Sequence, residues 1–395
     1  MDTFLGYLNL KSRKAPVPEE LNDIYDEDTY AKSQAYHAAN GRFGFLTSAI
    51  SFVLYFLVIA SGFLGWWDAY LTQFIPHDIG RALAFFGSLF IVSDVLTLPF
   101  QYYATFVIEE KFGFNKSTVK LFFVDKLKGY LLTAVLGGGI LYVLLLLITT
   151  LGTGFWVWFW IIASALMLLI NMFYTSIFVP LFNKLTPLEE GELKDAIMEY
   201  CQKVDFPLTN LFTIDGSKRS SKSNAYFSGI GKKKKIVLFD TLIENHSKEE
   251  LVAILAHEVG HYKKKHIISG MLLSVFQTGV ILFVLSLFVF NAELSAALGR
   301  SQLSIHLNLI AFSMLFSPIS QLIGIVMNMI SRKNEFEADT YAAETYNGKS
   351  LVTALKKLAS HNLSNLTPHP FPVFLNYSHP PMLKRVKHIL SLSSK

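Results

Sequence analysis

The sequence predicts a mainly α, polytopic membrane protein with about six to seven transmembrane helices and a small β-sheet. Three observations carry that expectation. Of 395 residues, 52% are apolar and only 16% are charged, against roughly 25% charged in soluble chains. Long apolar runs recur along the chain, each near or above the ~20 residues that cross a hydrocarbon core. Between two groups of these runs, residues 183–266 turn polar and carry short β-branched, aromatic stretches suited to strands. The net charge of +5 is modest and speaks to topology, so no nucleic-acid partner is expected. A single cysteine, Cys201, excludes an intramolecular disulfide framework. Residues 1–10 lead into a charged segment with no small-residue cleavage site, so no cleaved leader is expected.

Taken in order, residues 1–42 read as a polar surface arm, with Asp26-Glu27-Asp28 able to open a helix. Spans follow at 43–67, 81–108, 130–149 and 155–181, the first ending in Trp66-Trp67 as an interfacial anchor. The second contains Asp94 and Pro99. An acid at membrane depth is a functional candidate by default, unless a polar cavity or a neighbouring helix supplies its partner. Within 183–266, residues 187–204 read as an amphipathic helix with Thr186 as N-cap and Pro187 at its first position. Residues 210–214 and 236–239 read as strands, and the lysine run 232–235 as a solvated hairpin tip. Spans five and six are 267–290 and 307–330, and 331–395 forms the C-terminal segment. Basic residues gather in the arm, the 109–128 loop, the 183–266 segment and the tail. The alternate loops are nearly bare, so the basic segments are expected on the cytoplasmic side.

The stretch with the most chemistry is His257-Glu258-Val259-Gly260-His261. Two histidines four apart share one helix face and can grip one zinc ion, with Glu258 as general base to a water on that ion. Ser247 and Glu250 form a capping box at the helix start. Leu251, Ile254, Leu255 and Val259 give it an apolar stripe. A catalytic zinc needs a third protein ligand. Just past the sixth span, 334–339 reads NEFEAD, and Glu335 is assigned as that ligand. Asp339, four residues on and on the same face, is placed to accept a hydrogen bond from a ligand histidine. Glu337 falls on a different face and is not expected to be a ligand. His266 lies nine residues from His257, about 180° round a continuous helix, and is assigned only a local contact. One zinc per chain is the expected cofactor.

These motifs, with TFVIEEKFGFN at 105–115, GSKRSSKSNAYF at 216–227, IVLFDTL at 236–242 and YSHPPMLKR at 377–385, carry a resemblance. From about residue 25 to 390 the chain resembles the type I CAAX prenyl protease family of integral-membrane zinc metalloproteases. The resemblance implies a gluzincin-like zinc protease domain with His257, His261 and Glu335 as ligands and Glu258 as base. It implies a substrate-binding edge strand at Asn224 and Ala225, and places His379 and Arg385 near the scissile carbonyl. Residue chemistry alone supports that last pair only as donors to a developing oxyanion, and reads His379-Pro380-Pro381 as a rigid turn. The implied activity is hydrolysis near the C-terminus of prenylated CAAX-type peptide or protein substrates, in contact with membrane lipids.

The resemblance further implies a ring of seven helices around an intramembrane chamber. Here six spans are counted, and 1–42 holds no candidate for the first. Ser247 starts the metal helix almost directly after the strand. That compactness is similar to bacterial members, so a bacterial inner membrane is expected over the endoplasmic reticulum. Two other readings stand beside this one. The first is a membrane quality-control zinc protease without a prenyl requirement. The second is a transporter with a structural zinc, which would not need Glu258 beside its first ligand.

Overall fold

A helix satisfies its own backbone N–H and C=O groups, which lipid cannot do, so apolar runs in a membrane protein become helices. The computed structural model describes residues 2–12, 16–228 and 234–393. Its N-terminal half contains α1 (Asp2–Ser12), α2 (Glu27–Ala60), α3 (Phe63–Thr72), α4 (Asp78–Tyr103), α5 (Val119–Leu132), α6 (Gly138–Leu151), α7 (Phe155–Phe173) and α8 (Val179–Phe182). Then come α9 (Glu192–Lys203), α10 (Asp240–Asn245), α11 (Lys248–Lys263), α12 (His266–Phe288), α13 (Ala292–Ala297) and α14 (Ile305–Ala342). The chain closes with α15 (Gly348–His361), α16 (Pro370–Asn376) and α17 (Met382–Ser393).

Among the described residues, five helical stretches are long and apolar enough to cross a membrane: Glu27–Ala60, Asp78–Glu109, Val119–Phe182, His266–Phe288 and Ile305–His361. Large apolar side chains such as Phe52, Val95, Val135, Leu272 and Leu322 stand exposed on them, as surfaces facing lipid do. The count is below the six to seven expected. The runs 130–149 and 155–181 fall within one 64-residue helical stretch, because the three residues between α6 and α7, Gly152–Gly154, stay in a tight 3₁₀ turn. A straight helix of that length would reach about 95 Å, far beyond the ~30 Å core. Instead Ile148 and Phe155, on either side of the turn, pack into one buried cluster with Leu282 and Phe312.

Asp94 finds its partners on the neighbouring helix. The Lys126 ammonium lies 2.7 and 2.8 Å from its two oxygens, and the Tyr130 hydroxyl donates to it as well. The acid therefore ties α4 to α5.

The described residues among 1–42 depart from a solvated arm. Residues 27–42 form the first part of the 34-residue α2. Leu21, Tyr25 and Tyr36 are buried in the same core as Ile197, Val252, Leu355 and Val386. The Tyr25 hydroxyl donates to the Ala359 carbonyl at 2.8 Å. Burial of these few large side chains outweighs the polar composition around them.

The sheet is small and has the order β1-β2-β4-β3, with β1 Leu185–Pro187, β2 Leu208–Ile214, β3 Ala225–Ser228 and β4 Lys234–Phe239. β2 and β4 run parallel, and the other pairs are antiparallel. Thr186 and Pro187 do not start a helix. They pair with Thr213 and Phe212 in the edge strand β1, where a proline is tolerated, and the helix starts later at Glu192. Of the lysine run, Lys232 and Lys233 lie outside the described residues. Lys234 is not solvated: it is 1% exposed, with its ammonium 3.2 Å from the centre of the Tyr262 ring, a cation–π contact.

Candidate active site

The site begins at the start of α11. The Ser247 hydroxyl accepts from the Glu250 N–H at 3.3 Å, and the Ser247 N–H donates to the Glu250 carboxylate at 2.8 Å. That box relieves orphan N–H groups of the first turn. From Leu251 to His257 every residue is buried, so this part of the helix is held on all sides and His257 with it; His261, one turn on, is partly buried. The Nε2 atoms of His257 and His261 lie 3.2 Å apart. Glu335, from α14, places Oε2 3.6 Å from His257 Nε2 and Oε1 3.3 Å from His261 Nε2. One ligand atom from each of the three residues falls within 4.8 Å of the others. Glu335 Oε2 is buried and has no hydrogen-bond partner. Its charge is met in part by the Arg385 guanidinium 3.3 Å away, and a cation between it and two imidazole nitrogens would give it the direct partner it lacks. The set therefore fits a metal ion. Glu258 is partly buried beside it on the same helix.

Asp339 Oδ1 lies 2.9 Å from His257 Nδ1. An Nδ1–H donated there leaves the His257 Nε2 lone pair free for a metal. Arg385 in turn grips Asp339 with both arms of its fork, Nε to Oδ2 at 2.8 Å and a terminal nitrogen to Oδ1 at 2.6 Å. Its other terminal nitrogen is 3.3 Å from Glu335 Oε2. Burial alone would lower the pKa of Arg385; the Asp339 carboxylate outweighs it and holds the guanidinium above its ordinary range. His379 sits in the loop before α17, with Nε2 3.4 Å from Glu335 Oε1 and its side chain 65% exposed. The Pro381 carbonyl accepts the Lys384 and Arg385 N–H groups and so opens α17, placing His379 just ahead of that helix and beside the site.

Two family models cover almost the whole chain. The model described as "Peptidase family M48" matches residues 187–393, and the model described as "CAAX prenyl protease N-terminal, five membrane helices" matches residues 6–184. The chain belongs to peptidase family M48. It is 33% identical to the CAAX prenyl protease 1 homolog of Arabidopsis thaliana, over 98% of this chain and 94% of that one. It is 34% identical to CAAX prenyl protease 1 of Saccharomyces cerevisiae, over 100% and 92%. Among solved structures it is similar to the crystal structure of S. mikatae Ste24p, with a TM-score of 0.92 and 33% identity over 98% and 95%. This member of M48 is thus a multi-pass membrane metallopeptidase.

Two further surfaces of this M48 peptidase adjoin the histidines. The first is β3, which lies at the open edge of the sheet and begins at Ala225. Asn224 is exposed, and its side-chain oxygen accepts the Ala225 N–H at 2.9 Å. Phe227 of the same strand packs 6.2 Å, centre to centre, from Tyr262, the residue after His261. The second is an open groove of about 730 Å³ whose walls include His261, His266, Leu272, Leu273, Phe276 and Ile330.

His266 and Glu337 are brought closer than the sequence reading placed them. His266 Nδ1 is 3.0 Å from His261 Nδ1, and its Nε2 is 3.1 Å from Glu337 Oε2. The count of 100° per residue fails here because the helix does not continue. α11 stops at Lys263, Lys265 takes a left-handed φ of +59°, and α12 starts afresh at His266. The Lys263-Lys264-Lys265 run was the readable signal, since cations collect where a helix ends.

Proposed function

We propose that this peptidase is a zinc endopeptidase acting near the C-terminus of prenylated CAAX-type substrates, with its site on the cytoplasmic face of the membrane. The observation that carries the peptidase reading is the convergence of the Glu335 carboxylate on the two Nε2 atoms of the H-E-x-x-H helix. His257, His261 and Glu335 would hold zinc, which would supply Lewis acidity toward a carbonyl and toward water, whose pKa such sites bring to ~7. Glu258 takes the proton of the attacking water and returns it to the leaving amine. Asp339, clamped by Arg385, holds the His257 imidazole in one tautomer. His379 donates to the oxyanion that develops on the scissile carbonyl. The peptide adds as a further strand along β3 from Asn224 and Ala225.

A lipid-modified substrate is supported by the names of the relatives and by the apolar groove that opens beside His261. A prenyl chain gains about 0.8 kcal/mol for each buried CH₂, and the groove offers it walls of Leu272, Leu273 and Phe276. The cytoplasmic placement rests on the basic residues of the same segments that carry the site. The deciding experiment incubates the purified protein with one CAAX peptide in prenylated and unprenylated form and identifies products by mass spectrometry. Faster cleavage of the prenylated form is expected. Equal cleavage would favour the quality-control reading, and cleavage of neither would overturn the substrate assignment.

A further inference from the structure

We propose that His266 and Glu337 are positioning residues for the metal, a role that rests on the ligand set given above: together they fix the tautomer of His261. The proton order follows from the contacts. Glu337 as a carboxylate can only accept, so His266 Nε2, 3.1 Å away, carries a hydrogen. A neutral His266 then has a bare Nδ1. That atom faces His261 Nδ1 at 3.0 Å, so His261 must be the donor there. Its Nε2 is left unprotonated, and it points at His257 Nε2 and Glu335 Oε1, where the ion would sit. Reversing the order would put a proton on His261 Nε2 inside the ligand set and a second proton on His266.

Each ligand imidazole is therefore backed by a carboxylate, His257 directly by Asp339 and His261 through an intervening imidazole. The two arms differ in strength. Asp339 is fully buried and gripped by Arg385. The Glu337 side chain is 39% exposed, and among the described residues Lys333 is its second partner, at 3.6 Å. His266 is itself buried and is aimed by the left-handed turn at Lys265. Losing the imidazole should therefore cost more than losing the charge behind it.

The test measures the zinc dissociation constant of the purified full-length protein by competition with a chromogenic chelator. His266→Leu should weaken zinc about 10–100-fold, the usual range for removing the group that orients a ligand. Glu337→Gln should weaken it less. His266→Asn, whose amide oxygen can still accept from His261 Nδ1, should recover much of the loss. Glu337→Gln should add nothing in the His266→Leu background, because the two act in series. Melting of the metal-free proteins guards against misfolding, and the Asn and Gln variants keep the test alive if the Leu variant is unstable. Wild-type zinc affinity in His266→Leu, or additive effects of the two substitutions, would overturn the relay. Glu335→Ala separates the two levels: if it too retains zinc, the ligand set itself is wrong.

Discussion

Gly260 of α11 lies against the backbone of Ala338 of α14. A Cβ at Gly260 would meet the Ala338 Cα at 3.0 Å and its carbonyl oxygen at 3.1 Å. Both contacts are backbone, so neither can swing aside. This close approach sets the distance between the histidines and Glu335, one helical turn before Ala338. Replacing glycine by alanine in a helix interior gains roughly 1 kcal/mol of propensity, which opposes the clash, so valine is the clearer test. Gly260→Val should destabilise the protein by about 1–3 kcal/mol and lower its zinc content although no ligand changes. Metal analysis and thermal melting check this, and a variant unchanged in both would contradict the geometry.

Arg385 is expected to matter for folding as well as for the site. Removing one partner of a buried ion pair typically costs about 3–5 kcal/mol. Arg385→Leu would leave Asp339, fully buried, without its guanidinium. The melting temperature should drop sharply, and adding Asp339→Asn should recover part of the loss. If the double variant is no more stable than Arg385→Leu alone, the pair is not the cause.

His379→Ala should retain zinc and lose about 10²–10³ in kcat, the usual result of removing an oxyanion donor. Steady-state kinetics beside metal analysis decide the matter. A rise in KM with kcat unchanged would make His379 a substrate-holding residue instead.

Much of the site was readable because its signals are local. The H-E-x-x-H spacing, the Ser247–Glu250 box and the spacing of Glu335 and Asp339 each sit within one or two helical turns. The strands at 210–214 and 236–239 were legible for the same reason, from their β-branched and aromatic runs. What was not legible depended on breaks and on distance. His266 seemed to face away because helical counting assumes a continuous helix, and the left-handed Lys265 interrupts it. Tyr25 seemed to belong to a surface arm because its partner, Ala359, is 334 positions away. Pro187 carried a helix-start signal that an edge strand also accommodates. The Gly-Thr-Gly at 152–154 does mark the break between two spans: Gly152 ends α6 at a φ of +58°, and one 3₁₀ turn leads into α7.

Topology can be tested with single cysteines in a Cys201→Ala background. Cys201 is buried and its thiol is pushed up to about 12 by burial, so it should stay silent even if retained. Positions in the 109–128 loop and near residue 245 should react only from the cytoplasmic side, and one near residue 300 only from the other. Labelling of 245 and 300 from the same side would overturn the sidedness proposed here.

The most direct test of the mechanism is Glu258→Ala, measured for bound zinc and for peptide cleavage on the same purified sample. The three ligands remain, so zinc content should match wild type. The base is gone, and general-base catalysis contributes about 10²–10⁴ in rate, so cleavage should fall by at least that order. Wild-type zinc with cleavage lost is the predicted result; wild-type zinc with cleavage within about tenfold of normal would contradict the role given to Glu258.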